Sequence, residues 1–164
     1  MNYHNITKDD MLNGEGLRVV LWTSGCTHCC DGCQNPQTWD VASGIEFDND
    51  AKKEVFDALK PSYVAGITFS GGDPLHPFNR EVVLSLAAEI KEKFPNKTVW
   101  LYTGFLWEEL VNKIDLSNID VLVDGEFVKE LNDNNLHWVG SSNQRIINVK
   151  ESLENNKVIH YCKP

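Results

Sequence analysis

The chain has 164 residues, which predicts one domain, 1–164, with room for a sizeable core. Hydrophobic residues make up 41%, an ordinary share for a globular protein, and no apolar run approaches the length that spans a bilayer, so no membrane partner is expected. The formal net charge of −9 is a poor match for a phosphate backbone, which argues against nucleic acid as a partner and reads as a means of solubility.

From the N-terminus, Met1-Asn2-Tyr3-His4-Asn5 offers neither a positive n-region nor an apolar h-region, so a cytosolic, reducing compartment is expected. Asn13-Gly14-Glu15-Gly16-Leu17-Arg18 holds a G-x-G without a third glycine, ahead of a strand rather than after one. It predicts a tight turn, not a dinucleotide fingerprint. Leu17–Thr23 is largely apolar and β-branched and predicts a strand. Residues 50–60 place Ala51, Val55, Ala58 and Leu59 on one helical face, and Pro61 stops the helix. A strand is predicted over 64–69. Residues 79–94 predict a helix with Val83, Leu86, Ile90 and Phe94 near one face, ended by Pro95-Asn96. Thr98–Tyr102 predicts a strand, 106–114 a short helix and 119–123 a strand. Residues 131–139, with Asn132-Asp133-Asn134-Asn135, predict a surface loop, and 145–149 a last strand. Strands alternating with helices imply an α/β fold with a mostly parallel sheet and crossover helices.

Four of the five cysteines fall in Ser24-Gly25-Cys26-Thr27-His28-Cys29-Cys30-Asp31-Gly32-Cys33. Within that run Cys26, Cys30 and Cys33 have the spacing C-x3-C-x2-C. Three thiolates on one short loop can hold three irons of a cubane cluster and leave the fourth iron open to another ligand. Structural zinc takes four closed ligands, commonly as two C-x2-C knuckles, and the chain has no second knuckle. His28 as a fourth ligand would give a cramped tetrahedron. A disulfide framework fits poorly with an odd number of cysteines, four of them nearly contiguous. Cys29 is expected to sit beside the site as a spectator. Cys162 could serve only as a remote ligand, with nothing around it resembling a ligand loop.

The strand ends share a theme. The first runs Trp22-Thr23-Ser24-Gly25 into the cysteines. The others end in Phe69-Ser70-Gly71-Gly72-Asp73-Pro74, Tyr102-Thr103-Gly104 and Val123-Asp124-Gly125. Ligands of parallel α/β folds bind at the carboxyl ends of strands, where glycine admits close approach and Ser, Thr or Asp supply hydrogen bonds. Glycine also simply ends strands. Four such ends, one leading into the cysteine loop, favour a shared site. The Ser70-Gly71-Gly72-Asp73-Pro74 loop carries no lysine and no G-x-x-x-x-G-K pattern, so it suits an ammonium group better than a phosphate.

Together these residues resemble the radical S-adenosylmethionine enzymes, and more narrowly the glycyl-radical-enzyme activating proteins. The resemblance rests on Gly14-x-Gly16-x-Arg18 and on Gly25-Cys26-x3-Cys30-x2-Cys33-x-Asn35. Met1-Asn2-Tyr3, the run from Ser70 to Pro77, Thr103-Gly104, Val123-Asp124-Gly125 and Gly140-Ser141-Ser142-Asn143-Gln144 narrow it to the branch that activates anaerobic ribonucleoside-triphosphate reductase. It covers about residues 1–145 and leaves the tail 146–164 unmatched. The chain departs from the family at Trp22, where Phe is usual, at Gln34, where an aromatic ring is common, at Val139, often Arg, and in the extra Cys29.

The resemblance implies a partial (β/α) barrel. It implies a 4Fe–4S cluster on Cys26, Cys30 and Cys33, whose free iron chelates S-adenosylmethionine. It implies that Gly71, Gly72 and Asp73 receive the methionine ammonium, that Gly32, Cys33 and Gln34 lie along the adenine, and that Thr103 and Asp124 belong to the pocket. The implied activity is reductive cleavage of S-adenosylmethionine to form a glycyl radical on the large subunit of anaerobic ribonucleoside-triphosphate reductase, with an external reductant such as flavodoxin. Two rivals are an activator of another glycyl radical enzyme, such as pyruvate formate-lyase, and a non-catalytic module with structural zinc. The lack of a second cysteine set argues against activators that carry additional clusters.

Overall fold

The structure is a computed structural model that describes residues 1–162. The last two positions of the 146–164 tail lie outside the described residues. Seven strands and four helices follow one another as β1 (Asn2–Asp10), β2 (Leu17–Thr23), β3 (Ile45–Glu46), α1 (Asn49–Leu59), β4 (Val64–Gly71), α2 (Arg80–Lys93), β5 (Thr98–Tyr102), α3 (Trp107–Leu110), β6 (Val121–Asp124), β7 (Arg145–Asn148) and α4 (Val149–Asn155).

They form one mixed sheet in the order β3-β1-β2-β4-β5-β6-β7. The central strands β2, β4, β5 and β6 are parallel, as the strand–helix alternation predicts. The flanks are antiparallel: β1 pairs with β2 and β3, and β7 pairs with β6. Only β1 and β7 therefore run against the rest, so the sheet is mostly parallel. It is open, with β3 and β7 at its edges.

Alternation in the strands sorts two faces. In β5, Val99 and Leu101 join the large core, while Trp100 packs in a second, smaller cluster with Val121, Val123 and Ile146. All four helices contribute to the large core and none to the small one. Helix α1 begins at Asp48, whose carboxylate accepts from the Ala51 amide at 2.9 Å, and it buries Ala51, Val55, Phe56 and Leu59. Helix α2 buries Val83, Leu86, Ala87 and Ile90 and carries Lys91 and Lys93 in its last turn, where cations suit the helix dipole. Each fully buried aliphatic side chain contributes roughly 1.5–3 kcal/mol.

The second face is covered instead by the loop between β6 and β7 and by the chain end. Trp138 and Tyr161 both meet Trp100 edge-on. Arg18 is fully buried beneath them. It bonds to Thr68, Thr98 and the Glu15, Ile67 and Thr98 carbonyls, and it lies 5.3 Å from the Trp100 ring. Among the described residues no helix is long and apolar enough to cross a membrane.

Strand β1 escapes a reading for apolar runs because only Tyr3 and Ile6 are buried in Asn-Tyr-His-Asn-Ile-Thr-Lys-Asp-Asp. The helix predicted over 106–114 keeps helical form only at Trp107–Leu110. The last strand ends one residue early, at Asn148. That side chain caps α4 by accepting from the Glu151 amide at 3.2 Å, and its own amide donates to the Glu151 carboxylate at 3.0 Å.

Candidate metal centre

At the carboxyl ends of the parallel strands, the loops after β2 and β4 lie against each other. The Gly72 amide donates to the Thr23 carbonyl at 2.8 Å, and the Asp73 amide to the Gly25 carbonyl at 2.7 Å. This contact demands glycine. A Cβ on Gly72 would stand 2.5 Å from the Gly25 oxygen, and one on Gly71 would stand 2.7 Å from Thr23 backbone atoms. Gly71 also has φ +103°, a conformation that side chains disfavour. The far limb of the cysteine loop returns through a short 3-10 turn at Pro36–Thr38, where the Thr38 and Trp39 carbonyls accept from the Gly25 and Cys26 amides.

These loops open onto a cavity of about 470 Å³. Cys26, Cys30 and Cys33 line it, as do Gln34, Gly71, Gly72, Asp73 and Thr103. Gly32 and Asp124 do not. Gly32 faces Lys129 and Phe127. Asp124 is fully buried, where it accepts from the Trp107 amide and from Arg145, which in turn holds Glu108. Cys29 is exposed with φ +49° and stays out of the lining, and Cys162 packs in the small cluster on the second face.

One of the lining thiols accepts a backbone amide. The Asn35 amide approaches Cys33 Sγ at 3.3 Å. Burial pushes the Cys26 thiol up to about 11, and burial raises Cys30 as well. Metal loading at these sulfurs must therefore displace protons.

The Asp73 carboxylate is buried and occupied. It accepts from the Leu75 amide at 2.8 Å, the Thr103 hydroxyl at 3.0 Å, the Gly104 amide at 3.1 Å and His28 Nε2 at 2.8 Å. Four donors fill what a carboxylate offers. The side chain predicted to receive an ammonium group is thus engaged within the chain. His28 Nδ1 meets Glu126 at 2.8 Å, and the two carboxylates, Asp73 first, raise the imidazole pKa to about 9 against its burial.

The family described as a 4Fe-4S single cluster domain matches residues 12–147 of the chain. The anaerobic ribonucleoside-triphosphate reductase-activating protein of Enterobacteria phage T4 is 43% identical over 146 residues, 89% of this chain and 93% of that protein. Its namesake from Haemophilus influenzae is 42% identical over 154 residues, covering 92% and 99%, and that of Escherichia coli K12 is 42% identical over 156, covering 92% and 100%. The chain belongs to this family of activating proteins.

As a member of the activating-protein family, it has a donor set that suits an iron–sulfur cluster. Three thiols line one cavity, and one of them, Cys33, accepts a backbone amide at its sulfur. Among the described residues no three His, Cys, Asp or Glu groups converge as a single metal ion demands. A cubane presents its irons at separate corners and accepts thiolates farther apart than one tetrahedral zinc does.

In the sequence His28 stands out only as a possible zinc ligand, and Glu126 and Trp39 do not stand out at all. Trp39 lines the cavity, and its indole N–H is buried without a partner. The position of His28 inside the cysteine run was a visible signal; that of Glu126, 98 residues away, was not.

Proposed function

We propose that this chain, as one radical S-adenosylmethionine domain over 1–164 with a partial (β/α) barrel, generates a glycyl radical on the large subunit of anaerobic ribonucleoside-triphosphate reductase. The relatives' names support that target, and the cluster-domain match supports an iron–sulfur centre. An external reductant such as flavodoxin would supply the electron. The observation that carries the reading is the convergence of Cys26, Cys30 and Cys33 with the Gly71-Gly72 turn on one cavity at the parallel strand ends.

Cys26, Cys30 and Cys33 would hold a 4Fe–4S cluster through their thiolates. When bound, the cluster and S-adenosylmethionine supply one-electron reductive cleavage of the sulfonium and so the radical chemistry that removes a glycine hydrogen. The chain binds and orients. The Gly71-Gly72 turn, bare of side chains, lets the methionine ammonium reach backbone carbonyls, with Asp73 shaping that turn rather than accepting directly. Gln34 and Cys33 border the adenine from the cysteine loop, and Gly32 gives that loop its turn at φ +72°. Thr103 orients Asp73, and Asp124 supports the wall through Arg145 and the start of α3. Placing the reactants at the strand ends makes the reaction effectively intramolecular.

Electron paramagnetic resonance on anaerobically reconstituted, chemically reduced protein tests this. The expected result is a 4Fe–4S signal that changes when S-adenosylmethionine is added. Absence of a cluster signal, or a signal indifferent to S-adenosylmethionine, overturns the reading.

A further inference from the structure

The run Gly140-Ser141-Ser142-Asn143-Gln144 takes no part in the chemistry proposed above, yet it closes the stem of the loop between β6 and β7. The Gln144 side chain accepts from the Gly140 amide at 2.8 Å and donates to the Gly125 carbonyl at 2.9 Å. Asn143 donates to the Glu126 carbonyl at 2.8 Å, and the buried Ser141 hydroxyl accepts from the Val128 amide at 3.1 Å. Three side chains thus staple the outgoing limb of the loop to the returning one. Farther along, the Tyr102 hydroxyl donates to the Trp138 carbonyl at 2.8 Å. Trp138 itself is held at φ +60°, a left-handed conformation that so large a residue adopts at a cost.

The loop held in this way meets the cavity with apolar side chains: Leu136, Trp138 and Val139 line it. Leu12 lines it as well, from the turn between β1 and β2, and the sheet order sets β4 and β5 between that turn and the loop. Met11 and Leu12 are 68% and 81% exposed, but their turn is pinned. The Asp10 carboxylate accepts from the Leu12 amide at 2.9 Å and from the Asn13 amide at 2.8 Å. Two large apolar side chains fixed in water and continuous with an apolar cavity wall mark an interaction site. Among the described residues that line the cavity, Asp73 and Glu126 are acidic and none is lysine or arginine.

We propose that the stapled loop 126–139 and the Met11–Leu12 turn are two lips of a docking groove, and that its occupant is an extended segment of the large subunit of anaerobic ribonucleoside-triphosphate reductase. The occupant rests on the reading of that reductase as the target. A glycine of a second protein approaches the thiols through the cavity they line, and the lips are the apolar part of its wall. The segment that fits carries an apolar residue between the lips and neutral or basic residues beside it, since an acidic lining repels acidic ones. Lips fixed in advance spare the complex the cost of ordering them.

Calorimetric titration of the apoprotein with the purified large subunit from the same organism tests the groove without any cluster. The variants are Leu12→Asp and Leu136→Asp. Tyr63→Asp is the control, because Tyr63 is 62% exposed but stands just before β4, at the end of that strand away from the cavity. The expected result is a Kd raised about tenfold by each lip variant, the scale of one lost interface anchor, and an unchanged Kd for the control. In Gln144→Ala, amide hydrogen exchange of the free protein is expected to quicken over 126–139 and not over β4 or β5, and the Kd to rise. Leu12 is exposed, so Leu12→Asp decides alone should Leu136→Asp fail to fold.

Lip variants that bind like wild type, or a control that weakens binding as much, overturn the groove and leave the target standing. Unchanged loop exchange in Gln144→Ala removes the staple. A chain that sediments alone as a dimer, and that Leu12→Asp returns to monomer, assigns the lips to a second copy and overturns the proposal. A wild-type chain that does not bind the large subunit defeats the target reading, and the groove with it.

Discussion

Cys29 and Cys30 are neighbours in the chain with opposite surroundings. Cys30 lines the cavity and is half-buried, whereas Cys29 is exposed with a left-handed backbone. Cys30→Ala is therefore expected to abolish iron and sulfide retention and S-adenosylmethionine cleavage, and Cys29→Ala to keep both. Metal analysis and methionine release check this; a Cys29 variant that loses the cluster while the Cys30 variant retains it would reverse the ligand assignment. At Gly72 the constraint is steric. Gly72→Ala forces the loops after β2 and β4 apart and is expected to cost about 1–3 kcal/mol, read by denaturant unfolding of the apoprotein. The doubled glycine and the cysteine spacing were legible in the sequence because each is a local pattern. The saturation of Asp73 was not, because its donors come from His28, Leu75, Thr103 and Gly104.

Among the elements, the apolar strands and the two helices with a sharp periodicity agree with the sequence, while the polar strand β1 and helix α4 do not stand out in it. Helices α1 and α2 bury the faces that their spacing marks, and a proline follows closely after each. The start of α1 depends on one side chain, so Asp48→Ala should lower stability by about 1 kcal/mol, measured by urea unfolding. Strand β1 is polar because β3 adds only two residues beside it, and the tertiary pairing with β2 makes it a strand. Helix α4 carried a signal in Asn148-x-x-Glu151 that an apolar reading passes over.

The exposed end of α3 has a pH signature. Arg145 holds the Glu108 carboxyl below its ordinary value of 4.5. A carboxyl lowered in the folded state stabilises above its unfolded pKa and loses that contribution as pH falls through the folded one. Glu108→Gln should thus cost a little at neutral pH, less than about 1 kcal/mol for so exposed a pair. The difference from wild type should vanish in strong acid, as thermal melts across pH 7 to 2 would show by roughly converging in Tm.

The whole molecule is asymmetric across its sheet. Helices cover one face, while loops and the chain end cover the other over a cluster of only four buried residues centred on Trp100. Trp100→Ala removes the ring that Arg18, Trp138 and Tyr161 share and is expected to cost about 3–5 kcal/mol, measured by calorimetry of the apoprotein.

The sequence by itself determined the parallel α/β centre, through strand and helix patterns alternating along the chain, and the three clustered thiols and the glycine turn, through local spacing. Only the tertiary structure decided the antiparallel flanks, the burial of Asp124 away from the cavity and the meeting of His28 with Asp73 and Glu126. Those outcomes depend on which distant segments the packed sheet brings together, and hydrogen-bond partners separated by 45 and 98 residues leave no periodic trace in the chain.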